Sequence, residues 1–207
     1  MAVAIEQLRK QLREKFPQAH SPIPSSDLSP PPSGEAFSPD VFPAGAISEV
    51  IGSGLGMLVA HLLGEPEEHV EFPEFVLVDG GDHFDPSSFS SGACSRLLWV
   101  RCLEARQMLK AADLLVRDGN VPFILLDTCG IDSRELRRQP ASVWWRLKLA
   151  AEGNACRLIV MSTHPQVPCA ALRLSLNHRL ELEDFDRPRR ELLERLEIIR
   201  ERERRSG

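Results

Sequence analysis

Apolar residues recur at two different spacings along this chain, and each change of spacing marks a new element. Over residues 1–16 they fall at Ile5, Leu8, Leu12 and Phe16, with Arg9, Lys10, Arg13, Glu14 and Lys15 on the other faces, which predicts a short amphipathic helix. A helix of about three turns is marginal alone in water, so it needs a surface to dock on. The periodicity then stops. Residues 17–43 hold eight of the sixteen prolines, including Pro30-Pro31-Pro32, with serines between them, and read as a linker.

From 44 to 186, short continuous apolar runs alternate with helical spacings. Runs at 47–51, 75–79, 97–100, 123–127 and 158–161 predict strands, and continuous hydrophobicity suits strands buried on both faces. Residues 56–63 and 103–117 predict helices, the second with Met108, Ala111, Ala112 and Leu115 on one side and Gly119 as its stop. A third helix is expected from a Ser142 cap through Trp144, Leu147, Ala150 and Ala151 to near Gly153. Strands alternating with helices predict an α/β core with a mainly parallel sheet flanked by helices. Residues 171–176 and 179–183 alternate strictly and are expected to be antiparallel edge strands with one solvated face. The tail, 187–207, is predicted helical. Leu192, Leu196 and Ile199 would share one face there, a candidate partner-binding stripe.

Composition narrows the class without deciding it. With 207 residues, 43% hydrophobic and 27% charged, the chain can form one sizeable core plus tails. The net charge of -5 argues against a nucleic-acid coat protein; the tail, with eight Arg against five Glu, is locally basic. Residues 1–16 are charged throughout and lack the apolar core of a secretory signal, and no run approaches the ~20 residues a bilayer needs. Five cysteines, with no C-x-x-C pair, are expected to be reduced and mostly buried, which together suggest a cytoplasmic protein.

The candidate chemistry centres on residues 49–63, where an apolar strand runs through Gly52, Gly54 and Gly56 into an apolar helix. A phosphate-binding loop has that layout, G-x-x-x-x-G-K-[ST], with its Lys on the phosphates and its hydroxyl on Mg²⁺. Here three residues, not four, separate Gly52 from Gly56, and Met57 and Leu58 stand where Lys and Ser/Thr belong. Either this is a nucleotide fold that no longer turns over nucleotide, or the glycines serve only to turn a strand into a helix. Two other clusters carry candidate chemistry. Asp79 and His83 could suggest a metal site, but ligand spacing on regular elements is missing and a surface loop fits better. Arg134, Arg137, Arg138, Arg146 and Lys148 against Glu135 give +4 within fifteen residues, with Trp144 and Trp145 among them. Such a run can hold single-stranded nucleic acid, anchor a protein partner, or simply be a solvated face over a packed Trp144.

The segments 43–52 (PAGAISEVIG), 76–86 (VLVDGGDHFDP) and 111–127 (AADLLVRDGNVPFILLD) carry a resemblance to the RecA-type recombinase core, and within that superfamily to the ImuA/SulA branch. It spans about 42–182. The Pro-rich N-terminus and Arg/Glu-rich tail fit the ImuA side better. The resemblance implies a RecA-like P-loop NTPase core with degenerate Walker motifs. Gly81 stands at the position of the catalytic Glu, beside Asp82; Asp127, followed by Thr128, is a vestigial metal-side Asp; and Ser162-Thr163 replaces the γ-phosphate sensor, followed by a shortened loop at 164–168. It further implies no cofactor, no catalysis, and an accessory role in damage-induced translesion synthesis. The implied partners are an ImuB-type Y-family-like polymerase homologue, an error-prone replicative-type polymerase and RecA, with weak single-stranded DNA binding. A SulA-like inhibitor of cell division and a RecA paralogue retaining ATP or DNA binding are the alternatives.

Overall fold

The structure, a computed structural model, describes residues 39–64, 74–178, 181–187, 191–192 and 196–203. Seven strands form one sheet: β1 (Ala46–Gly52), β2 (Phe75–Gly80), β3 (Leu97–Cys102), β4 (Phe123–Asp127), β5 (Arg157–Ser162), β6 (Leu172–His178) and β7 (Leu196–Glu203). Their order is β3-β2-β4-β5-β1-β6-β7, and every neighbouring pair is parallel except β6 and β7. The helices are α1 (Leu55–Leu63), α2 (Ser91–Ser95), α3 (Ala105–Asp118), α4 (Ser133–Arg138) and α5 (Ser142–Asn154).

Period-2 alternation sends the strand side chains to two apolar layers. Val76, Val78, Ile124, Leu126, Leu158 and Val160 meet Met108, Ala112 and Val116 of α3 and Trp144 and Leu147 of α5. Leu77, Leu125, Ile159 and Met161 face the other way, toward Leu58, Leu62 and Leu63 of α1 and Ala93 of α2. The expected α/β architecture is therefore present: a mainly parallel sheet between helical layers.

Several boundaries differ from expectation. The linker ends before 43, because Phe42 is buried in the α1-side core and its carbonyl accepts a 2.9 Å hydrogen bond from Arg157 Nε. Pro39–Val41 forms a 3₁₀ turn; residues 17–38 of the expected linker, and the helix over 1–16, lie outside the described residues. Ser142 is the first residue of α5 and supplies no side-chain cap; α5 starts on the Val143 N–H to Pro140 carbonyl bond. α4 was not anticipated; Asp132 caps it by accepting from the Arg134 N–H at 2.7 Å.

The C-terminal part departs most. β6 is not an antiparallel edge strand: it runs parallel to β1, with Ser48 opposite Leu172 and Gly52 opposite Leu176. In place of a second strand at 179–183, a 3₁₀ turn covers Leu182–Asp186. The helical tail gives way, over Leu196–Glu203, to β7, which closes the sheet antiparallel to β6. A strand puts consecutive residues on opposite faces, so Ile198 is buried and Ile199 exposed; Leu196 and Ile199 share no helical stripe, and Leu192 is buried. The basic tail is thus partly a sheet component.

Candidate functional site

In open α/β sheets, ligands bind outside the C-terminal ends of the strands. A cavity of about 880 Å³ lies there, bordered by the loops after β1, β2, β4 and β5. Leu77 and Met161 reach it from the sheet, Leu55, Met57 and Val59 from α1, Phe84 and Phe89 from the β2–β3 connection, and Leu192 from the segment before β7. Ser53, His83, Asp85, Ser88, Asp127 and Thr163 add polar groups. The one Arg or Lys among its described lining residues is Arg187, paired with Asp184 at 3.4 Å and Glu191 at 3.7 Å.

The β1–α1 turn forms one wall. A Cβ on Gly52, which has φ +130°, would lie 2.1 Å from the Leu176 carbonyl oxygen, so the close approach of β6 requires glycine there. Gly54 precedes α1 and its carbonyl accepts from Met57 N–H at 2.9 Å; a Cβ on Gly56 would meet open space. Of the two residues standing at the Lys and Ser/Thr positions, only Met57 lines the cavity. Leu58 is fully buried in the core beneath α1. A hydroxyl at 58 would face hydrocarbon rather than a bound metal.

The β2 end is shaped by Asp79, which is fully buried and accepts from the backbone N–H groups of His83 and Phe84 at 3.1 and 3.0 Å and from Trp99 Nε1 at 3.1 Å. Three donors on one carboxylate fold the 81–84 loop against β3. Gly81 packs so tightly on Gly130 that a Cβ would come within 2.4 Å of its Cα, which leaves no room for a glutamate side chain at this position. Asp82 is ion-paired with Arg101 and is not among the cavity residues.

Asp127 ends β4 opposite Asp79 in the sheet register, with its Oδ1 accepting from Cys129 N–H at 2.9 Å and its Oδ2 3.8 Å from His83 Nδ1. Burial pushes its carboxyl above the ordinary carboxylate range; the Cys129 hydrogen bonds and His83 oppose this, and Asp79 adds to it. Burial, then the charge of Asp127, also hold the Cys129 thiol far above its usual pKa, so Cys129 is not poised as a nucleophile despite its Asp and His neighbours. No cluster of three metal-ligating side chains occurs among the described residues.

Sequence reasoning missed one constellation. Glu49, fully buried in the middle of β1, accepts from Arg173 Nε at 2.8 Å, Gln166 N–H at 2.6 Å, Val167 N–H at 3.1 Å and Ser162 Oγ at 3.5 Å. Arg173 also donates to the Val167 carbonyl, and Gln166 Nε2 to Thr128 Oγ1. The short 164–168 loop is thereby pinned to the core. The only sequence signal was one acid among the mainly apolar residues of β1 and one base in the alternating pattern of β6.

The basic run divides. Trp144 is 7% exposed and packed in the core, and its carbonyl accepts from Cys169 Sγ, so it offers no stacking surface. Trp145 is 48% exposed. Arg134, Arg137, Arg138 and Arg146 are exposed, Arg137 donating to Ser133 Oγ, whereas Lys148 is paired with Glu152.

No protein-family model and no curated protein matches the chain. Among solved structures it is similar to the RadB recombinase, with 15% identity, 68% of this chain and 78% of that chain covered, and a TM-score of 0.51. The fold is RecA-like.

Proposed function

We propose that this chain is a noncatalytic RecA-like adaptor in damage-induced translesion synthesis, bridging an ImuB-type polymerase homologue and an error-prone replicative-type polymerase. The cavity beside the β1–α1 turn carries this reading. Phosphoryl transfer depends on positioned charge, and here the loop contributes Met57, the base position is a glycine packed against glycine, and the carboxylates lining the cavity are Asp85 and Asp127. An unscreened triphosphate would meet apolar side chains and a second anion. The shortened, pinned 164–168 loop supports the same reading, since a segment bound to a buried carboxylate is poorly suited to cycling with nucleotide. Likeness to a recombinase supports a setting in DNA repair.

Calorimetry with Mg²⁺-ATP should give no binding tighter than about millimolar, near -4 kcal/mol, and phosphate release should equal buffer. Stoichiometric micromolar binding, or turnover abolished by Asp127→Ala, would overturn the noncatalytic reading. A tagged chain recovered from cells after DNA damage should retain the polymerase homologue; recovery without it would overturn the adaptor role.

A further inference from the structure

The outward surface of the α3–α5 layer is unused by the core. On α5, Trp145 and Leu149 stand one turn apart and are 48% and 65% exposed, while Trp144 and Leu147 point inward. On the adjacent α3, Leu114 is 61% exposed. The two helices run side by side: Asn154 Nδ2 at the end of α5 donates to the Val116 carbonyl at 2.8 Å near the end of α3. Apolar residues on neighbouring helices suit a third helix laid against them.

Charge selects the occupant. Arg106 and Lys110 on α3, Arg134 and Arg138 on α4, and Arg146 on α5 are exposed, and none has a hydrogen-bond or ion-pair partner for its side chain among the described residues. Most acids of the layer are engaged: Asp113 with Arg117, Glu152 with Lys148, Asp118 with Asn120, Asp132 on the Arg134 N–H and Glu135 on the Ala105 N–H that opens α3; exposed Glu104, just before α3, is the one left without a side-chain partner among the described residues, against five such cations. We infer that this face docks an acidic amphipathic helix of a protein partner, with Trp145 and Leu149 as apolar anchors and the free cations meeting its carboxylates. Trp and Arg are the residues that dominate such interfaces, and arginine grips carboxylates bidentately. A nucleic acid fits less well, because Leu114 and Leu149 cannot stack bases and the chain's net charge of -5 repels a polyanion at range. A second copy would bring the same cations face to face.

The inference rests on the adaptor reading only in that both require a partner; ATP turnover would overturn that reading and leave this test intact. The full chain carrying benzoylphenylalanine in place of Leu149 is irradiated in cells, and the attached peptide is mapped by mass spectrometry. The expected label lies on one segment of net negative charge with apolar residues spaced i, i+3/i+4, i+7. A synthetic peptide of that sequence should bind the purified chain, and Arg138→Glu with Arg146→Glu should weaken it at least tenfold while leaving the melting temperature unchanged. Labelling of nucleic acid, of a second copy, of a basic or neutral segment, or of nothing would overturn the proposal, as would a less than twofold effect of the double reversal.

Discussion

Glu49 and Arg173 hold opposite charges inside the protein, and their loss should be felt together. Glu49→Ala leaves Arg173, whose side chain is only 16% exposed, without its anion and frees the N–H groups of Gln166 and Val167. Breaking a buried pair costs about 3–5 kcal/mol, whereas replacing both partners with apolar residues of similar volume is often neutral. Denaturant unfolding should therefore show a large loss for Glu49→Ala and substantial recovery in Glu49→Met/Arg173→Leu. Equal loss in both would mean the pair is not the source. Asp127 gives the opposite sign. Its folded pKa is raised, so ionisation penalises the native state above that pKa, and the penalty fades as pH falls through it toward the unfolded value of about 3.9. Asp127→Asn keeps an acceptor for Cys129 N–H and should raise the melting temperature at neutral pH, with the gain shrinking under acid. A loss at neutral pH would refute this. Neither effect is visible in sequence, where a charged residue in a strand does not declare its partner 124 positions away.

At the level of elements, the strands with continuous apolar runs were legible, and β2 and the inner positions of β4 and β5 are buried on both faces as that pattern implies; β3 is not, because it is the sheet edge and leaves Leu98 41% exposed. β2 is buried at all six positions, and of the expected α3 stripe Met108 and Ala112 are buried while Ala111 and Leu115 are half-buried, the inner face turning instead through Leu109 and Val116. The C-terminal strand was not legible. Leu192, Leu196 and Ile199 satisfy a helical spacing, Arg and Glu favour helix, and only pairing with β6, from Leu172 opposite Glu203 to His178 opposite Leu196, decides for strand. The ends of the core follow accordingly. Removing residues 1–38 should leave thermal stability nearly unchanged, while Phe42→Ala should cost about 3–5 kcal/mol by opening a cavity beneath α1. Truncation after residue 187 exposes the outer edge of β6 and removes buried Leu192 and Ile198, so the domain should melt well below the full chain. An unchanged melting temperature would mean that β7 contributes nothing.

The whole molecule shows which part of a site can be read from residue order. That the β1–α1 turn offers Met57 and no cation was plain from the residues in order. The crowding at Gly81 was not, because it depends on Gly81 meeting Gly130, a contact only the assembled sheet creates. The strand order carries one more consequence, for synthesis. β1 emerges first yet lies between β5 and β6, and its first partner residue, Arg157, is 111 positions after Ala46. At about 5–20 residues per second, the ribosome needs on the order of 10 s to supply it. Until then β1 has no neighbouring strand to pair with, and long-range parallel pairing is slow and prone to aggregation. The newborn chain should therefore depend on holding chaperones more than its modest size suggests.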